Sequence, residues 1–568
     1  MKQTKNHSES LLVHFRRVET LNSESLGYPS ISLNERQLCD LELLLNRAFY
    51  PLTGYLTRND YESVLDKMRL ADGTVWPMPV CLDVSEKLAQ SVKRGQSVAL
   101  RDPEGFLLAV MTVEDIWEAD KKREAEAVWG TASPDKHPNV AEFYETVGGW
   151  YLGGKLEGIS LPIHYDFKEL RLTPTETRQL FMMSGWRNVI AFHTEDLLHC
   201  AEREMIVNAS REAGARVFLQ PAVKMADPWH AEHYTRVRCC QEITKRLPKN
   251  MAFLGLISLA VRHAGPREAL WQAIIRRNYG CSHFMVAEDH ADPFTNSGST
   301  DRFYKPRAAQ ELLAEYEPET GIKPVALNKM VYVEEKAQYI PNDTVAAGMT
   351  VKEILLEEVR RRLENDLEIP EWFTYPEVVQ ELRRTYPPRS KQGFTIFFTG
   401  LSGSGKSTLA KVLVTKFMEM RDRPITLLDG DIVRKNLSSE LTFTKEHRNL
   451  NITRIGFVAS EITKNGGIAI CAPIAPYEES RTRNRALISR YGGYIEVYLS
   501  TPLAVCEQRD RKVMYAKARA GIVKGFTGID DPYEAPVNPE LNIDTSTLTP
   551  EEGAQEILLY LAEQGYIK

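Results

Sequence analysis

One stretch of the 568-residue chain constrains its fold more than any other. Residues 395–399 form the apolar, β-branched and aromatic run TIFFT, which is typical of a buried strand. The next residues, GLSGSGKS at 400–407, match the pattern G-x-x-x-x-G-K-[ST], and residues 408–418 continue with helical periodicity. A strand, a glycine loop and a helix in this order are the context that a phosphate-binding loop requires. The sequence therefore predicts a nucleoside triphosphate site.

The residue types of this loop have a direct chemical purpose. Its glycines allow backbone N–H groups to converge on an anion, and the following helix adds the positive end of its dipole. We expect Lys406 to reach the β- and γ-phosphates and the Ser407 hydroxyl to bind Mg²⁺. An ordinary glycine turn is the alternative, and the flanking strand and helix make it a poor competitor.

Composition limits the remaining possibilities. With a net charge of -6, the chain lacks the basic balance expected of a nucleic-acid-binding protein. Neither a signal peptide nor a run of transmembrane length is found in the sequence, so we expect a cytoplasmic protein. The eight cysteines are scattered without a CxxC pair, which favours reduced, buried thiols.

The order of patterns along the chain predicts several domains of mixed α/β structure. Short strand-like runs separated by turn signals, among them residues 76–84, 96–102 and 106–120, indicate a β-rich first segment. From residue 171 helices alternate with buried strands, which predicts a parallel sheet. A proline-rich and charged junction, residues 368–393, precedes the phosphate-binding loop.

The first two thirds of the chain, residues 20–390, resemble ATP sulfurylase. The motifs that carry this likeness are FYPLTGYL (49–56), WPMPVCLDV (76–84), HYTRVRC (233–239), AGPREALWQAIIRRNYGCSHFMV (264–286) and MVYVEE (330–335). The resemblance implies a β-rich PUA-like N-terminal domain followed by a Rossmann-like nucleotidylyltransferase domain. Members of that family bind ATP and sulfate and form adenylyl sulfate with release of pyrophosphate.

The catalytic positions of that family are not retained. Its motifs Q-T-R-N-P, H-x-x-H and G-R-D-H-A-G correspond here to HTEDL (193–197), HCAE (199–202) and AEDHAD (287–292), and a histidine at the end of a neighbouring strand is Gln220. Two arginines are therefore glutamates, Glu195 and Glu288, and the second histidine is Glu202. The degenerate site predicted here consists of His193, Glu195, His199, Glu202, Glu288 and His290.

The charge reversal indicates loss of the sulfurylase reaction. A site for sulfate and a triphosphate must supply positive charge. The two exchanges change the local charge by about four units, and each misplaced charge costs about 4 kcal/mol at 4 Å and an effective dielectric constant of 20. We expect an inactive pocket on a retained scaffold, in which His199, Arg267, Asp289 and His290 are structural. The alternative is a changed specificity, in which Glu195, Glu202, Glu288 and Asp292 bind a cation or a basic ligand.

Residues 394–568 resemble adenylyl-sulfate kinase, and here the motifs are retained. They are the loop at 400–407, DGDIVR (429–434), LTFTKEHRNLNITR (441–454), APIAPYEESR (472–481) and KGFTGIDDPYEAP (524–536), the last of which predicts a mobile lid. His447 replaces the usual aspartate, and Ala475 stands where many members carry serine. The alanine excludes a phosphoserine intermediate and favours direct in-line transfer.

The resemblance assigns roles to individual residues. The predicted catalytic residues are Lys406, Asp429 and Asp431, and Mg²⁺ is held by Ser407. The predicted ATP-binding residues are Gly400, Leu401, Ser402, Gly403, Ser404, Gly405, Lys406, Ser407, Thr408, Arg509 and Lys512. The predicted acceptor-binding residues are Asp431, Arg434, Phe443, Arg448, Asn451, Lys524 and Phe526, with the two phenylalanines stacked on the adenine. Three alternatives stay open: a capping role for one aspartate, a solvated face for the arginines, and a core position for either phenylalanine.

These observations predict a fusion of four segments: 1–168, PUA-like; 169–330, nucleotidylyltransferase; 331–390, a small mixed module and linker; and 391–568, a phosphate-loop kinase. The preferred function is an adenylyl-sulfate kinase that uses MgATP in sulfate assimilation, forms homo-oligomers and carries an inactive sulfurylase-like partner. The first alternative is a fully bifunctional synthetase of 3′-phosphoadenylyl sulfate. The second is a non-catalytic, nucleotide-sensing regulatory module.

Overall fold

A computed structural model of the chain describes residues 10–223, 231–295, 302–420, 423–510 and 513–568, with the side chains of residues 231 and 232 left out. The fold divides into two compact units. Unit 1 comprises Met1–Val359 and Ile369–Thr385, and unit 2 comprises Arg360–Glu368 and Tyr386–Lys568. The four predicted segment boundaries stay predictions.

The first part of unit 1 is built around a six-stranded sheet. Its strands are β1 (Ser30–Ser32), β2 (Gly54–Tyr55), β3 (Leu82–Val84), β4 (Ser97–Arg101), β5 (Leu107–Glu118) and β6 (Trp150–Gly158). The order is β1-β4-β5-β6-β2, with β3 also paired to β6. Its helices are α1 (Phe15–Glu24), α2 (Glu35–Leu45), α3 (Arg58–Lys67), α4 (Glu86–Ser91), α5 (Lys121–Trp129) and α6 (Pro138–Thr146).

The predicted strand over residues 76–84 is shorter in the structure, because Pro77 and Pro79 have no N–H to donate to a sheet.

Two glycines at β6 test how tightly this sheet is packed. A Cβ on Gly153 would lie 2.1 Å from the Leu56 carbonyl oxygen, whereas a Cβ on Gly149 would meet nothing within 4 Å. We expect Gly153→Ala to destabilise unit 1 by about 3 kcal/mol, because a backbone oxygen cannot move aside as a side chain can. Gly149→Ala is the matched control and should leave the unfolding temperature nearly unchanged. Thermal unfolding followed by calorimetry measures both, and an equal effect of the two variants would contradict the close packing.

The second part of unit 1 is a six-stranded sheet in which every pairing is parallel. Its strands are β7 (Val189–Thr194), β8 (Arg216–Val223), β9 (Ala252–Leu254), β10 (Ile257–Ser258), β11 (His283–Val286) and β12 (Lys323–Ala326), in the order β10-β8-β7-β11-β12 with β9 beside β8. Its helices are α7 (Pro174–Met183), α8 (Cys200–Ala213), α9 (Ala231–Arg246), α10 (Gly265–Asn278) and α11 (Ala308–Thr320). The apolar run NMAFLGLISLAV, residues 250–261, forms two short strands because the Leu256 N–H donates to the Leu170 carbonyl, outside the sheet.

A small antiparallel sheet follows, with strands β13 (Met330–Val333), β14 (Gln338–Pro341) and β15 (Val351–Lys352). The helices α12 (Leu356–Glu364) and α13 (Pro376–Thr385) come next in the chain.

Unit 2 contains a five-stranded parallel sheet in the order β17-β18-β16-β19-β20. The strands are β16 (Phe394–Gly400), β17 (Ile425–Asp429), β18 (Ile468–Ala472), β19 (Gly493–Leu499) and β20 (Leu541–Ile543). The helices are α14 (Lys406–Met420), α15 (Gly430–Leu437), α16 (Lys445–Lys464), α17 (Glu478–Ile488), α18 (Leu503–Gln508), α19 (Met514–Arg519) and α20 (Pro550–Glu563).

The central strand β16 explains why this sheet needs helices on both faces. Every one of its residues is buried. Phe394, Ile396 and Phe398 enter a core with residues of α14 and α20, whereas Phe397 enters a second core with residues of α16. Strand side chains alternate between faces, so the uninterrupted apolar run of the sequence specifies a covered parallel strand. The carboxyl end of β16 delivers the glycine loop to one edge of the sheet, where ligands of such folds bind.

Candidate active site

The glycine loop connects β16 to α14 in a conformation that its glycines make possible. Gly403 has a φ of 78° and Gly405 a φ of 98°, in the left-handed region that side chains disfavour. At Gly403 a Cβ would also lie 2.8 Å from the Cys506 carbonyl oxygen. The loop therefore keeps its shape only with glycine at these positions. Binding of ATP by the loop stays a prediction.

Lys406 is the first residue of α14 and its side chain is buried under the loop. Its Nζ donates to the carbonyl oxygens of Gly400, at 2.8 Å, and Leu401, at 2.7 Å. The ammonium group thus lies inside the ring of backbone that a phosphate would enter. A phosphate oxygen can replace a carbonyl oxygen as its acceptor with a gain in charge attraction.

Ser407, at the start of α14, and Asp429, at the end of β17, are brought together by the fold. The Ser407 hydroxyl donates to Asp429 Oδ2 at 2.8 Å, and the Asp431 backbone N–H donates to Asp429 Oδ1 at 3.0 Å. Asp429 is therefore the N-cap of α15, as the alternative of a capping role for one aspartate allowed. Its other carboxylate oxygen, Oδ2, accepts from Ser407 next to the loop. A hydroxyl beside a carboxylate is a donor set that suits Mg²⁺, which takes one or two protein ligands and completes its shell with phosphates and water. Within the described residues no group of three or more His, Cys, Asp or Glu side chains could hold a metal alone.

The predicted acceptor residues lie around the start of α16. The Arg434 guanidinium carbon lies 4.1 Å from the centre of the Phe443 ring, and that ring is 66% exposed. Burial first, and then the charge of Arg448, lower the pKa of Arg434, whereas the charge of Asp431 opposes this shift. The charges of Arg448 and Asp431 are thus close enough to act on Arg434. Phe443 is not a core residue, which removes one of the alternatives left by the sequence.

Asn451 is the buried member of this group. It is 5% exposed, and its Oδ1 has no hydrogen-bond partner among the described residues. A buried acceptor without a donor is costly, which points to a contact that forms only when a ligand is present.

The lid segment, residues 524–536, contacts Arg448. Arg448 Nη1 donates to Thr527 Oγ1 at 2.9 Å and to Asp531 Oδ2 at 2.5 Å, and Nη2 donates to the Gly525 carbonyl oxygen. Its side chain is 11% exposed, so the arginine is not part of a solvated basic face.

The other lid-associated residues differ in what they contact. Lys524 is exposed, and Phe526 makes an edge contact with Tyr515 at 5.0 Å between ring centres. Among the described rings none joins Phe526 to Phe443, so their sandwich around an adenine stays a prediction. Arg509 donates to Thr545 Oγ1 at 2.7 Å and to its carbonyl oxygen at 2.8 Å. Lys512 lies outside the described residues.

In unit 1 the histidines of the degenerate site are buried and neutral. His193 Nδ1 lies 2.8 Å from Arg276 Nη2, and since arginine only donates, Nδ1 is the acceptor. Burial first, and then the charge of Arg276, hold the pKa of His193 well below its usual value. Burial also lowers the pKa of His290 to about 3 and that of His199 to about 4. His290 bonds Gln272 at 2.9 Å and His199 bonds Thr374 at 3.0 Å.

The acidic residues of that site do not converge on a common ligand. The Glu202 carboxylate accepts from the His199 backbone N–H at 2.8 Å as part of a capping box, and Glu288 pairs with Arg307 at 3.3 Å. Asp292 accepts from the backbone N–H groups of residues 294, 303 and 304. Within the described residues these carboxylates form no group of three or more that could hold a metal ion, and the alternative of a site for a basic ligand stays a prediction.

Glu195 lies beside two histidines of unit 1. Its two carboxylate oxygens lie 3.7 Å from His193 Nε2 and 3.9 Å from His263 Nε2. A negative charge thus stands where the family's pattern has an arginine for sulfate.

Two further residues expected to be structural contact protein groups. Arg267 donates to carbonyl oxygens of residues 64, 65 and 127, and Asp289 pairs with Arg302 at 2.9 Å. These contacts are those of structural residues.

Known proteins match the chain over almost its whole length. Residues 4–161 match the family model described as PUA-like domain, residues 168–385 that of ATP-sulfurylase, and residues 392–544 that of adenylylsulphate kinase. A sulfate adenylyltransferase from Chaetomium globosum is 45% identical over 550 residues, which cover 96% of each chain. One from Mycosarcoma maydis is 46% identical, again over 96% of each chain. The chain belongs to the sulfate adenylyltransferase family.

A solved structure that matches the chain over nearly its whole length is described as a kinase. The structure described as a hexameric APS kinase from Thiobacillus denitrificans has a TM-score of 0.80, is 38% identical and covers 98% of both chains. APS is adenylyl sulfate. The family assignment confirms the predicted fold classes, including the PUA-like domain and the C-terminal phosphate-loop kinase with its parallel sheet. None of the described helices has the length and apolarity needed to cross a bilayer.

Sequence reasoning missed several residues of the kinase site. Thr545 donates to the Ser404 carbonyl oxygen at 2.9 Å, and no motif marks it. Tyr515 donates to the Ser402 carbonyl oxygen at 2.8 Å, and Tyr477 donates to Asp531 at 2.8 Å. Tyr477 stands inside the retained motif APYEESR, so its position could have been suspected from the sequence. The other two contacts depend on how the chain folds back on the loop.

Proposed function

We propose that this chain is an adenylyl-sulfate kinase that transfers the γ-phosphoryl group of MgATP to the 3′-hydroxyl of adenylyl sulfate. The observation that carries the proposal is the convergence of a donor site and an acceptor pocket on α15. Asp429, its N-cap, bonds Ser407 of the loop, whereas Arg434, one turn later, lies over Phe443. The site for the phosphoryl donor and the site for the acceptor therefore adjoin each other. The solved structure described as an APS kinase, whose matched region includes the sulfurylase-like part, supports the same proposal.

The roles follow from chemistry that phosphoryl transfer requires, which is positioning and charge stabilisation. Lys406 and the loop N–H groups would neutralise charge on the transferring group. Asp431, exposed at the start of α15, would orient or deprotonate the acceptor hydroxyl. Arg434, Arg448 and Asn451 would hold the acceptor, and Ser407 would hold Mg²⁺, which shields the phosphate oxygens when it is bound.

We propose further that the sulfurylase-like domain does not form adenylyl sulfate. Glu195 in its pocket repels both anionic substrates, and His193, His199 and His290 are held neutral by burial. The second candidate is the fully bifunctional enzyme, which the names of the fungal relatives favour. We also propose a homo-oligomer, because the solved relative is described as hexameric.

The direct test is phosphoryl transfer by the purified protein. With ATP and adenylyl sulfate it should produce ADP and 3′-phosphoadenylyl sulfate in equal amounts. Binding of both substrates without any product would overturn the proposal and favour the regulatory module.

Asn451 gives a test of the acceptor site. We expect Asn451→Ala to raise the KM for adenylyl sulfate about 10-fold, because a contact to a buried polar group is lost. The KM for ATP should change little, since Asn451 lies on α16 and not on the loop. Steady-state kinetics with each substrate varied separately measures this. Asn465→Ala, at the exposed end of the same helix, is the control. A KM for ATP that rises as much as that for adenylyl sulfate would contradict the assigned role.

A further inference from the structure

Two side chains, Arg434 of α15 and His447 of α16, contact the Thr442–Phe443 segment. Arg434 Nη1 lies 3.4 Å from the carbonyl oxygens of Leu441 and Thr442, while its guanidinium group covers the Phe443 ring. The Thr442 backbone N–H donates to His447 Nδ1 at 3.0 Å, and the Thr442 hydroxyl lies 2.8 Å from the same atom. The exposed phenylalanine is thus fixed from the carbonyl side by an arginine and from the amide side by a histidine.

The bond to the amide dictates the protonation state of His447. A backbone N–H can only donate, so Nδ1 must carry a lone pair and the proton of the neutral ring must be on Nε2. An aspartate, the usual residue of the motif, offers a lone pair at this position at any pH near neutrality. Histidine is the side chain that changes charge between pH 5 and 8. Protonation of Nδ1 would remove the acceptor and place an N–H opposite the Thr442 N–H.

We propose that His447 is a positioning residue that holds the Thr442–Phe443 segment for the acceptor only while its imidazole is neutral, so that acidification weakens the binding of adenylyl sulfate. This inference rests on the proposed kinase function. Binding of adenylyl sulfate by the kinase would then depend on pH, which the aspartate usual at this position would not cause. Arg434 would keep its contact with the segment, which makes the expected change a weakening and not a loss.

Charged groups of both signs surround the imidazole. Backbone hydrogen bonding first, with a smaller contribution from a charged His447, lowers the pKa of Glu440 in the preceding loop and that of Glu446 in α16. Arg434 approaches the same threonine from α15, and Lys445 points to the Tyr477 ring at 4.9 Å. These groups do not replace the acceptor that Thr442 needs.

The sequence makes the effect measurable. His447 is the only histidine between residues 386 and 568. The two cysteines of this region, Cys471 and Cys506, are buried, which raises the pKa of each thiol and keeps it neutral. A change in acceptor binding between pH 5.5 and 8.0 can therefore be assigned to one side chain by substitution.

The experiment measures the KM for adenylyl sulfate at saturating MgATP from pH 8.0 to 5.5, and the binding of adenylyl sulfate by calorimetry over the same range. For the wild type we expect the KM and the dissociation constant to rise about 5- to 10-fold on acidification, the size of one lost hydrogen bond. In His447→Asn and His447→Asp both constants should stay nearly flat, because an oxygen takes the place of Nδ1. His447→Ala should show the weaker binding at every pH.

Equal pH profiles in the wild type and in both His447→Asn and His447→Asp would overturn the inference and leave the proposed function intact. A kcat that falls while the KM stays constant would overturn it as well, because positioning acts on acceptor binding. Absence of phosphoryl transfer by the wild type at pH 8.0 would instead overturn the proposed function, and the inference with it.

Discussion

Lys406→Ala should lower kcat/KM for phosphoryl transfer to adenylyl sulfate by roughly 10²- to 10³-fold, the loss that follows removal of one preorganised charge-stabilising donor. The ammonium group is buried among the carbonyl oxygens of Gly400 and Leu401, where a triphosphate would enter. Because it contacts the group that gains charge in the transition state, most of the loss should appear in kcat. A coupled assay of ADP release under saturating adenylyl sulfate measures it.

Lys411→Ala is the matched control for this prediction. Lys411 is an exposed lysine on the same helix, four residues after Ser407, so its removal changes the net charge of α14 equally without touching the loop. Activity of Lys411→Ala should stay within about twofold of the wild type, because an exposed charge several residues away is largely screened. Full activity in Lys406→Ala would refute the assignment of the loop as the catalytic phosphate site.

The purified protein should form no measurable ATP from adenylyl sulfate and pyrophosphate, the reverse of the sulfurylase reaction. Glu195 lies within 4 Å of His193 and His263 and adds negative charge where two anions must bind. His193, whose Nδ1 already accepts from Arg276, cannot supply compensating positive charge, because burial and the charge of Arg276 hold its pKa well below neutrality. We expect activity at least 10³-fold below that of an active sulfurylase, since about 4 kcal/mol per misplaced charge corresponds to this factor.

The positive control is the sulfate adenylyltransferase from Chaetomium globosum, measured under the same conditions. The assay is best made in the Lys406→Ala background, so that the kinase does not consume adenylyl sulfate. ATP formation at a rate comparable to that of the control would establish the bifunctional enzyme and overturn the proposed inactivity.

The phosphate-binding loop was fully predictable from the sequence because its elements are local. Strand, glycines, lysine and helix follow one another within about twenty residues, and each is specified by backbone freedom or side-chain periodicity. The glutamates at 195, 202 and 288 were equally visible in the sequence, but the contacts that they make were not. Only packing showed that Glu202 caps a helix and Glu288 pairs with Arg307, whereas Glu195 lies beside His193 and His263.

The sequence by itself determined the family resemblance, the parallel sheets and the prediction of a triphosphate-binding loop, since these depend on short-range patterns. Only the tertiary structure decided which side chains meet across long separations. Ser407 at the start of α14 reaches Asp429 at the end of β17, and Arg448 reaches Asp531 of the lid. Such contacts depend on sheet order and on the approach of distant loops, which local propensity does not encode. The same reason applies to His447, whose substitution was plain in the sequence and whose bond to Thr442 was seen only in the fold.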